Sequence, residues 1–256
     1  MRHYSLLTLA LAVVALGQLP RIHLQWAICE PDPQTVLRKL GEDGTREPYK
    51  DAPVTYYDTD PPTYTWGRLM FRTKTRRDQA ISAVKVRFDP RTSNAAEMAF
   101  GSEDSRIRGS NPHSSGNFHC AWDRYGDEVH FACAMQSPLT GRDKIWSDEQ
   151  ILFVENCETV AWDSLVGYGP NFNPKWRLNV TGHPSVFDDV QVGQSHFMEL
   201  EVKVFREEGD EVFENITRHL RNSEVRLCDD QKPRSIRLFE AMGYHRSEPS
   251  LIVQPG

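Results

Sequence analysis

The sequence lacks the signatures of several large enzyme classes. It contains no G-x-S-x-G, H-E-x-x-H, Walker or dinucleotide-binding pattern, so nothing points to an α/β-hydrolase, zincin, P-loop or Rossmann site. None of its five cysteines falls in a CxxC or a Cys/His zinc pattern. No apolar run reaches the roughly 18 residues that a spanning helix needs. Internal repeats are absent. Positive charge is not in excess either: 30 Lys+Arg stand against 36 Asp+Glu, a formal −6, which argues against a dedicated nucleic-acid binder.

What is there is globular. The 256 residues are 39% hydrophobic, 26% charged and 10% aromatic, enough apolar volume for a substantial core. Arg2 and His3 open a short polar stretch, Leu6 to Leu16 is almost wholly apolar, and Ala15-Leu16-Gly17 supplies small side chains for cleavage. That pattern predicts a signal peptide over residues 1–17, an exported and secreted protein, and one domain over 18–256. In that compartment disulfides are expected. Cys120 and Cys133 lie at equal distances from Gly126-Asp127, a pair suited to a two-residue hairpin turn, so they face each other across two strands and should be linked. By elimination Cys157 pairs with Cys228, leaving Cys29 over. Two N-x-T sequons mark Asn179 and Asn215 as glycan acceptors.

Strand-like segments dominate. Ile22 to Ile28, Val54 to Tyr57, Leu69 to Arg76, Ala83 to Phe88, Trp176 to Val180, Ser185 to Val190 and Phe197 to Phe205 read as strands, with the cysteine hairpin among them. Helices are expected from Pro33 to Leu40, capped by Asp32, near Asp148 to Cys157, and from Asp210 to Arg221. In the last, Val212, Phe213, Ile216 and Leu220 share one face. Residues 91–117, rich in Ser, Asn, Gly and charge, read as an exposed insertion. Strand following strand with few helices between implies a mainly antiparallel sheet, in an α+β fold that is mainly β.

The chemistry sits on strand alternation, because residues two apart share a face. Arg72, Lys74 and Arg76 form one cationic face, and Lys85 with Arg87 another. Glu199, Glu201 and Lys203 share a face opposite Met198, Leu200 and Val202. If the polar faces turn inward, cations that grip phosphate lie beside carboxylates that hold Mg²⁺ or Mn²⁺. Trp122, Trp162 and Trp176 read as packing residues, and a His130–Asp123 cross-strand contact as two neighbouring surface residues.

These residues resemble a family, the CYTH domain or triphosphate tunnel metalloenzymes. Val186-Phe187-Asp188-Asp189-Val190, Gly193 and Phe197-Met198-Glu199-Leu200-Glu201 are similar to its apolar-Asp-x-Val, Gly, aromatic-x-Glu-apolar-Glu pattern. Tyr56-Tyr57-Asp58-Thr59, Gly67 and Phe71-Arg72-Thr73-Lys74 resemble its YFDT…G…LRIR segment. Lys85 stands where the family carries a strand-four lysine, and Lys232-Pro233-Arg234-Ser235 resembles the basic segment after its last helix. The resemblance covers most of residues 22–240. It implies an eight-stranded antiparallel barrel, and an inorganic triphosphatase, thiamine triphosphatase or class IV adenylyl cyclase type of site.

One departure is large. The family's first strand carries ExExK, whose two glutamates help ligate the catalytic metal; here His23, Gln25 and Ala27 occupy those places. Gln and His do not replace two carboxylates for Mg²⁺. Two readings follow. The preferred one is a secreted barrel that binds a phosphorylated small molecule or polyphosphate, with catalysis lost or weakened. The other is a metal-dependent triphosphatase in which Arg72, Lys74, Arg76, Lys85 and Arg87 grip the substrate. In that reading Asp188, Glu199 and Glu201 hold Mg²⁺ or Mn²⁺, with Glu199 and Glu201 as the catalytic carboxylates.

Overall fold

The computed structural model describes residues 21–76, 79–94, 117–139 and 144–246. The segment expected to be a signal peptide and nearly all of the expected insertion at 91–117 lie outside the described residues. Eleven strands form one sheet: β1 (Arg21–Ile28), β2 (Lys50–Asp51), β3 (Val54–Asp58), β4 (Leu69–Arg76), β5 (Gln79–Arg87), β6 (Asn117–Tyr125), β7 (Glu128–Pro138), β8 (Val166–Asn171), β9 (Pro174–Val180), β10 (His183–Val192) and β11 (Ser195–Phe205). Their order is β2-β9-β10-β11-β1-β6-β7-β5-β4-β3-β8. Among the described residues the sheet is accompanied by the α-helices α1 (Pro33–Lys39), α2 (Asp148–Glu155), α3 (Gly209–Asn222) and α4 (Arg234–Ala241).

The closed, eight-stranded barrel is therefore corrected, while the mainly antiparallel pairing is as expected. The sheet is open, with β2 and β8 at its two ends, and β1 runs parallel to β6 while antiparallel to β11. Two segments raise the strand count. Gly- and Pro-containing Val166–Asn171 reads as a connection yet pairs with β3, and Lys50–Asp51 adds a two-residue strand to β9. The segment at Lys232–Ser235 runs into α4, a helix missing from the sequence reading because Pro233 and Arg234 disguise its start.

Alternation dictates which face is which. On β11, Met198, Leu200 and Val202 are buried beside Leu24, Trp26 and Ile28 of β1, in an apolar cluster on one side of the sheet. Helix α3 covers this side because Val212, Phe213, Ile216 and Leu220 repeat with helical period and are all buried. Phe213 stacks on Trp26 with ring centroids 5.0 Å apart, and the Trp26 indole N–H donates to Thr217 Oγ1 at 2.9 Å. Gly209 starts the helix where a Cβ would meet Ile22 Cγ2 at 2.9 Å, so the backbone must come close there. Trp122 and Trp176 are buried core residues, as expected, and Trp162 packs on Phe71. The opposite faces curl around a cavity, described below.

The hairpin argument holds. Tyr125 pairs with Glu128 around Gly126, whose φ is +55°, and Cys120 lies opposite Cys133, to which it is bonded. The second pairing is corrected: Cys228 bonds to Cys29, and Cys157 is a free thiol at the end of α2. The cause is a short antiparallel bridge between Ile28 and Leu227. The Cys29 N–H donates to the Arg226 carbonyl at 2.9 Å and the Cys228 N–H to the Ala27 carbonyl at 3.0 Å, which sets the two Cα atoms 5.0 Å apart. The Cys29–Cys228 bond closes most of the chain into a loop.

Nonreducing peptide mapping should recover Cys29 linked to Cys228 and Cys120 to Cys133, with Cys157 alkylated. A Cys157–Cys228 peptide would contradict the structure. Cys228→Ser should cost about 2–5 kcal/mol in a denaturant titration, the scale of a lost native disulfide.

Candidate functional site

A cavity of about 350 Å³ lies on the polar faces of the curled sheet. It takes side chains from ten strands, all but β8, and from α4, so no local segment builds it alone. Of the residues singled out from sequence, Arg72, Lys74, Lys85, Arg87, Asp188, Glu199 and Glu201 all line this one space. The Arg76 side chain lies outside the described residues. Asn179 and Asn215 are exposed on β9 and α3, away from the cavity lining. His23 and Gln25 also line it, facing Lys203 and Glu201 across the β1–β11 ladder, with Ala27 opposite Glu199. The three positions that differ from ExExK thus stand in register with the carboxylate strand.

Two ionic clusters divide the site. In the first, Arg234 at the start of α4 spans β10 and β11. Its Nη1 donates to Asp188 Oδ2 at 3.1 Å, while Nη2 donates to Asp188 Oδ1 and reaches Glu199 Oε1 at 3.1 Å. The Lys175 ammonium donates to Asp188 as well, and Arg237 Nη2 stands 4.0 Å from Glu199 Oε2. Burial alone would raise the Asp188 carboxyl, but Arg234 and Lys175 outweigh it and hold the group below the usual carboxylate range. Glu199 is shifted upward, because burial there exceeds what Arg234 returns. Glu201 has its own partner, Lys203, at 3.1 Å.

The second cluster surrounds Asp123, only 1% exposed on β6. Lys85 donates to its Oδ2; Arg87 Nε and His130 Nε2 lie 3.7 and 3.8 Å from the same oxygen, and His23 Nδ1 lies 3.6 Å from Oδ1. Strand register explains the gathering, since His23 of β1 and His130 of β7 are the cross-strand neighbours of Asp123 on either side. The cross-strand contact is as expected, but its placement is corrected: Asp123 and His130 are buried, at 1% and 3% exposure, because this face of β6 and β7 turns inward. Burial pushes His130 down to about 3, so the ring is neutral at pH 7. It opposes ionisation of Asp123 too, yet the surrounding cations keep that carboxyl well below its ordinary value.

Sequence reasoning missed Lys175, Arg237 and Asp123 as site residues. It placed Arg234 only in a basic segment. The missing signal was contact across the sheet, which neither spacing nor periodicity carries. Asp58, within the YFDT-like motif, is fully buried but serves the loop after β3: its carboxylate accepts the N–H groups of Thr59, Thr63, Tyr64 and Thr65.

The carboxylates do not fit a divalent cation of the kind the family resemblance implies. Both Asp188 oxygens and one of Glu199 already accept from Arg234, and Glu201 is paired with Lys203. Among the described residues, no three His, Cys, Asp or Glu side chains gather in metal-holding geometry.

No protein-family description and no curated protein matches the chain by sequence. Solved structures do match. A protein of Hippeastrum, HpAC1, named after adenylyl cyclase and reported to have a dominant triphosphatase activity, superimposes with a TM-score of 0.50 at 11% identity, covering 87% of this chain and 96% of that one. A Bacillus halodurans protein named after adenylate cyclase gives a TM-score of 0.53 at 10% identity, over 86% and 98% of the two chains. At such identities the likeness is one of fold. The fold is CYTH-like, as the sequence motifs implied.

Removing Asp123 should expose what the second cluster costs. Asp123→Asn is expected to lose about 3–5 kcal/mol of stability by urea denaturation, because Lys85 is left buried without its carboxylate. Adding Lys85→Met should restore part of that loss. Acid should weaken the fold as well. Below about pH 6.5 an unfolded chain protonates His130, whereas the folded chain resists down to about 3. Stability should therefore fall with pH across that window, and less steeply in His130→Gln.

Proposed function

We propose that the cavity binds a phosphorylated polyanion, either a polyphosphate or a small molecule bearing a phosphate chain, and that hydrolysis is lost or weak. One observation carries this reading: eight lysines and arginines line the cavity against three carboxylates. Such an excess within a partly desolvated space favours a multivalent anion. Arg72 adds a specific handle, since its buried Nε has no hydrogen-bond partner among the described residues. Arg72, Lys74, Arg76, Lys85 and Arg87 are the proposed ligand-binding set. The reading extends to an exported single-domain protein, which the two disulfides and the exposed Asn179 and Asn215 acceptors support.

A second reading rests on the Hippeastrum neighbour's triphosphatase activity and on Glu199 and Glu201 facing the cavity. In it, Asp188, Glu199 and Glu201 hold Mg²⁺ or Mn²⁺, and the chain hydrolyses a triphosphate. The ion pairs described above weigh against it.

Calorimetric titration with tripolyphosphate, alongside an assay for phosphate release with Mg²⁺ or Mn²⁺, separates the two. Binding should be salt-sensitive, without turnover. Arg72→Ala and Lys85→Ala should each weaken it at least about fivefold, the scale of one charge-assisted hydrogen bond, with melting curves confirming that the variants fold. Turnover in the wild type that Glu201→Gln nearly abolishes would instead establish the enzyme, since that change removes a carboxylate able to hold the metal.

A further inference from the structure

We infer that Arg234 stands in the place of a divalent cation, so that the cavity holds its anionic ligand without metal. This rests on the polyanion reading above and specifies how the same site works. The carboxylates of Asp188 on β10 and Glu199 on β11 are neighbours in strand register, the arrangement in which a metal would be shared. Here the guanidinium of Arg234 bridges them, with two contacts to Asp188 and one to Glu199. The planar fork matches carboxylate geometry, and its charge is permanent.

Charge counting excludes a second guest at this point. Two carboxylates, Asp188 and Glu199, face three cations, Arg234, Lys175 and Arg237. A divalent ion entering there would meet a net positive surface and would have to break the Arg234 contacts first. On β1, Gln25 and Ala27 offer no added negative charge opposite Glu201 and Glu199.

Arg234 also keeps a donor in reserve. The residue is 8% exposed and lines the cavity, and its buried Nε has no hydrogen-bond partner among the described residues. A group that binds carboxylates on one side and offers a donor on the other can join protein to phosphate oxygen. That is the bridging role a metal ion performs in a phosphoryl site. With Gln25 and Ala27 in place of acidic side chains on β1, the carboxylates present are few enough for one +1 side chain to serve where a +2 ion would.

Two measurements on the intact protein test this. The first is tripolyphosphate affinity by calorimetry, with divalent ions removed by EDTA and compared with untreated buffer. Less than about threefold weakening is expected; a larger loss overturns the inference. The second is Mn²⁺ titration followed by electron paramagnetic resonance, without polyanion. Wild type should take up no stoichiometric Mn²⁺. Arg234→Ala should bind one ion at least about tenfold more tightly than wild type, because Asp188 and Glu199 are released. Stoichiometric Mn²⁺ uptake by wild type overturns the proposal, and needs no variant to fold. If tripolyphosphate fails to bind at all, the polyanion reading falls, while the Mn²⁺ titration still decides the role of Arg234.

Discussion

Everything in this cavity depends on how buried carboxylates are neutralised. An unpaired carboxylate in a desolvated site costs several kcal/mol even after relaxation, so each one here must have a counter-charge at hand. Asp123 takes Lys85, with Arg87 and two histidines around it. Asp188 takes Arg234 and Lys175, and Glu201 takes Lys203. Glu199 is the least well served: its Oε2 accepts no hydrogen bond and Arg237 is 4.0 Å away. Its upward shift follows directly from burial that Arg234 offsets only in part.

The same constraint ties secondary structure together. Helix α4 has an apolar face, with Leu238 and Phe239 fully buried against Val54, Tyr56, Met70, Val190 and Phe197. Val190 shares the strand face of Asp188, and Phe197 that of Glu199, so α4 packs on the cavity side of the sheet, whereas α3 packs on the other. Hydrophobic contact anchors the helix, and the Arg234 fork fixes its first turn over β10 and β11. The ion pairs of the cavity and the seating of α4 thus share one residue. Substituting Arg234 alters both.

The fold was legible in the sequence wherever alternation was strong. Met198-Glu199-Leu200-Glu201-Val202 declares a strand with one apolar and one charged face, and the structure uses it so. The Cys120–Cys133 register followed from counting outward from a turn. Where distance along the chain was large, counting gave nothing. Cys29 and Cys228 are 199 residues apart, and only the Ile28–Leu227 bridge brings them together. The strand β8 was masked by Gly167, Gly169 and Pro170, residues that normally interrupt a sheet but are tolerated on an end strand. For the site, sequence supplied residues of the cavity lining but not their partners. Arg72, Lys85 and Glu199 could be placed on faces, whereas the capture of Asp188 by Arg234 belongs to a contact spanning 46 positions.

The motif residues sort by what they do in the structure. Asp58 organises a loop through four backbone N–H groups, and replacing it would leave those donors unsatisfied in a buried turn. The apolar positions of β10 and β11 fill the core. Neither role involves a ligand. His23, Gln25 and Ala27 are different: their positions face the carboxylate strand across a ladder that any side chain can enter, since pairing is made by backbone. Charge can be lost there without disturbing the sheet, provided the remaining carboxylates find other partners. Arg234 and Lys175 supply those partners for Asp188, and Lys203 for Glu201. A CYTH-like sheet can in this way keep its shape and its cationic cavity while the acidic half of the site turns inward to the protein's own cations.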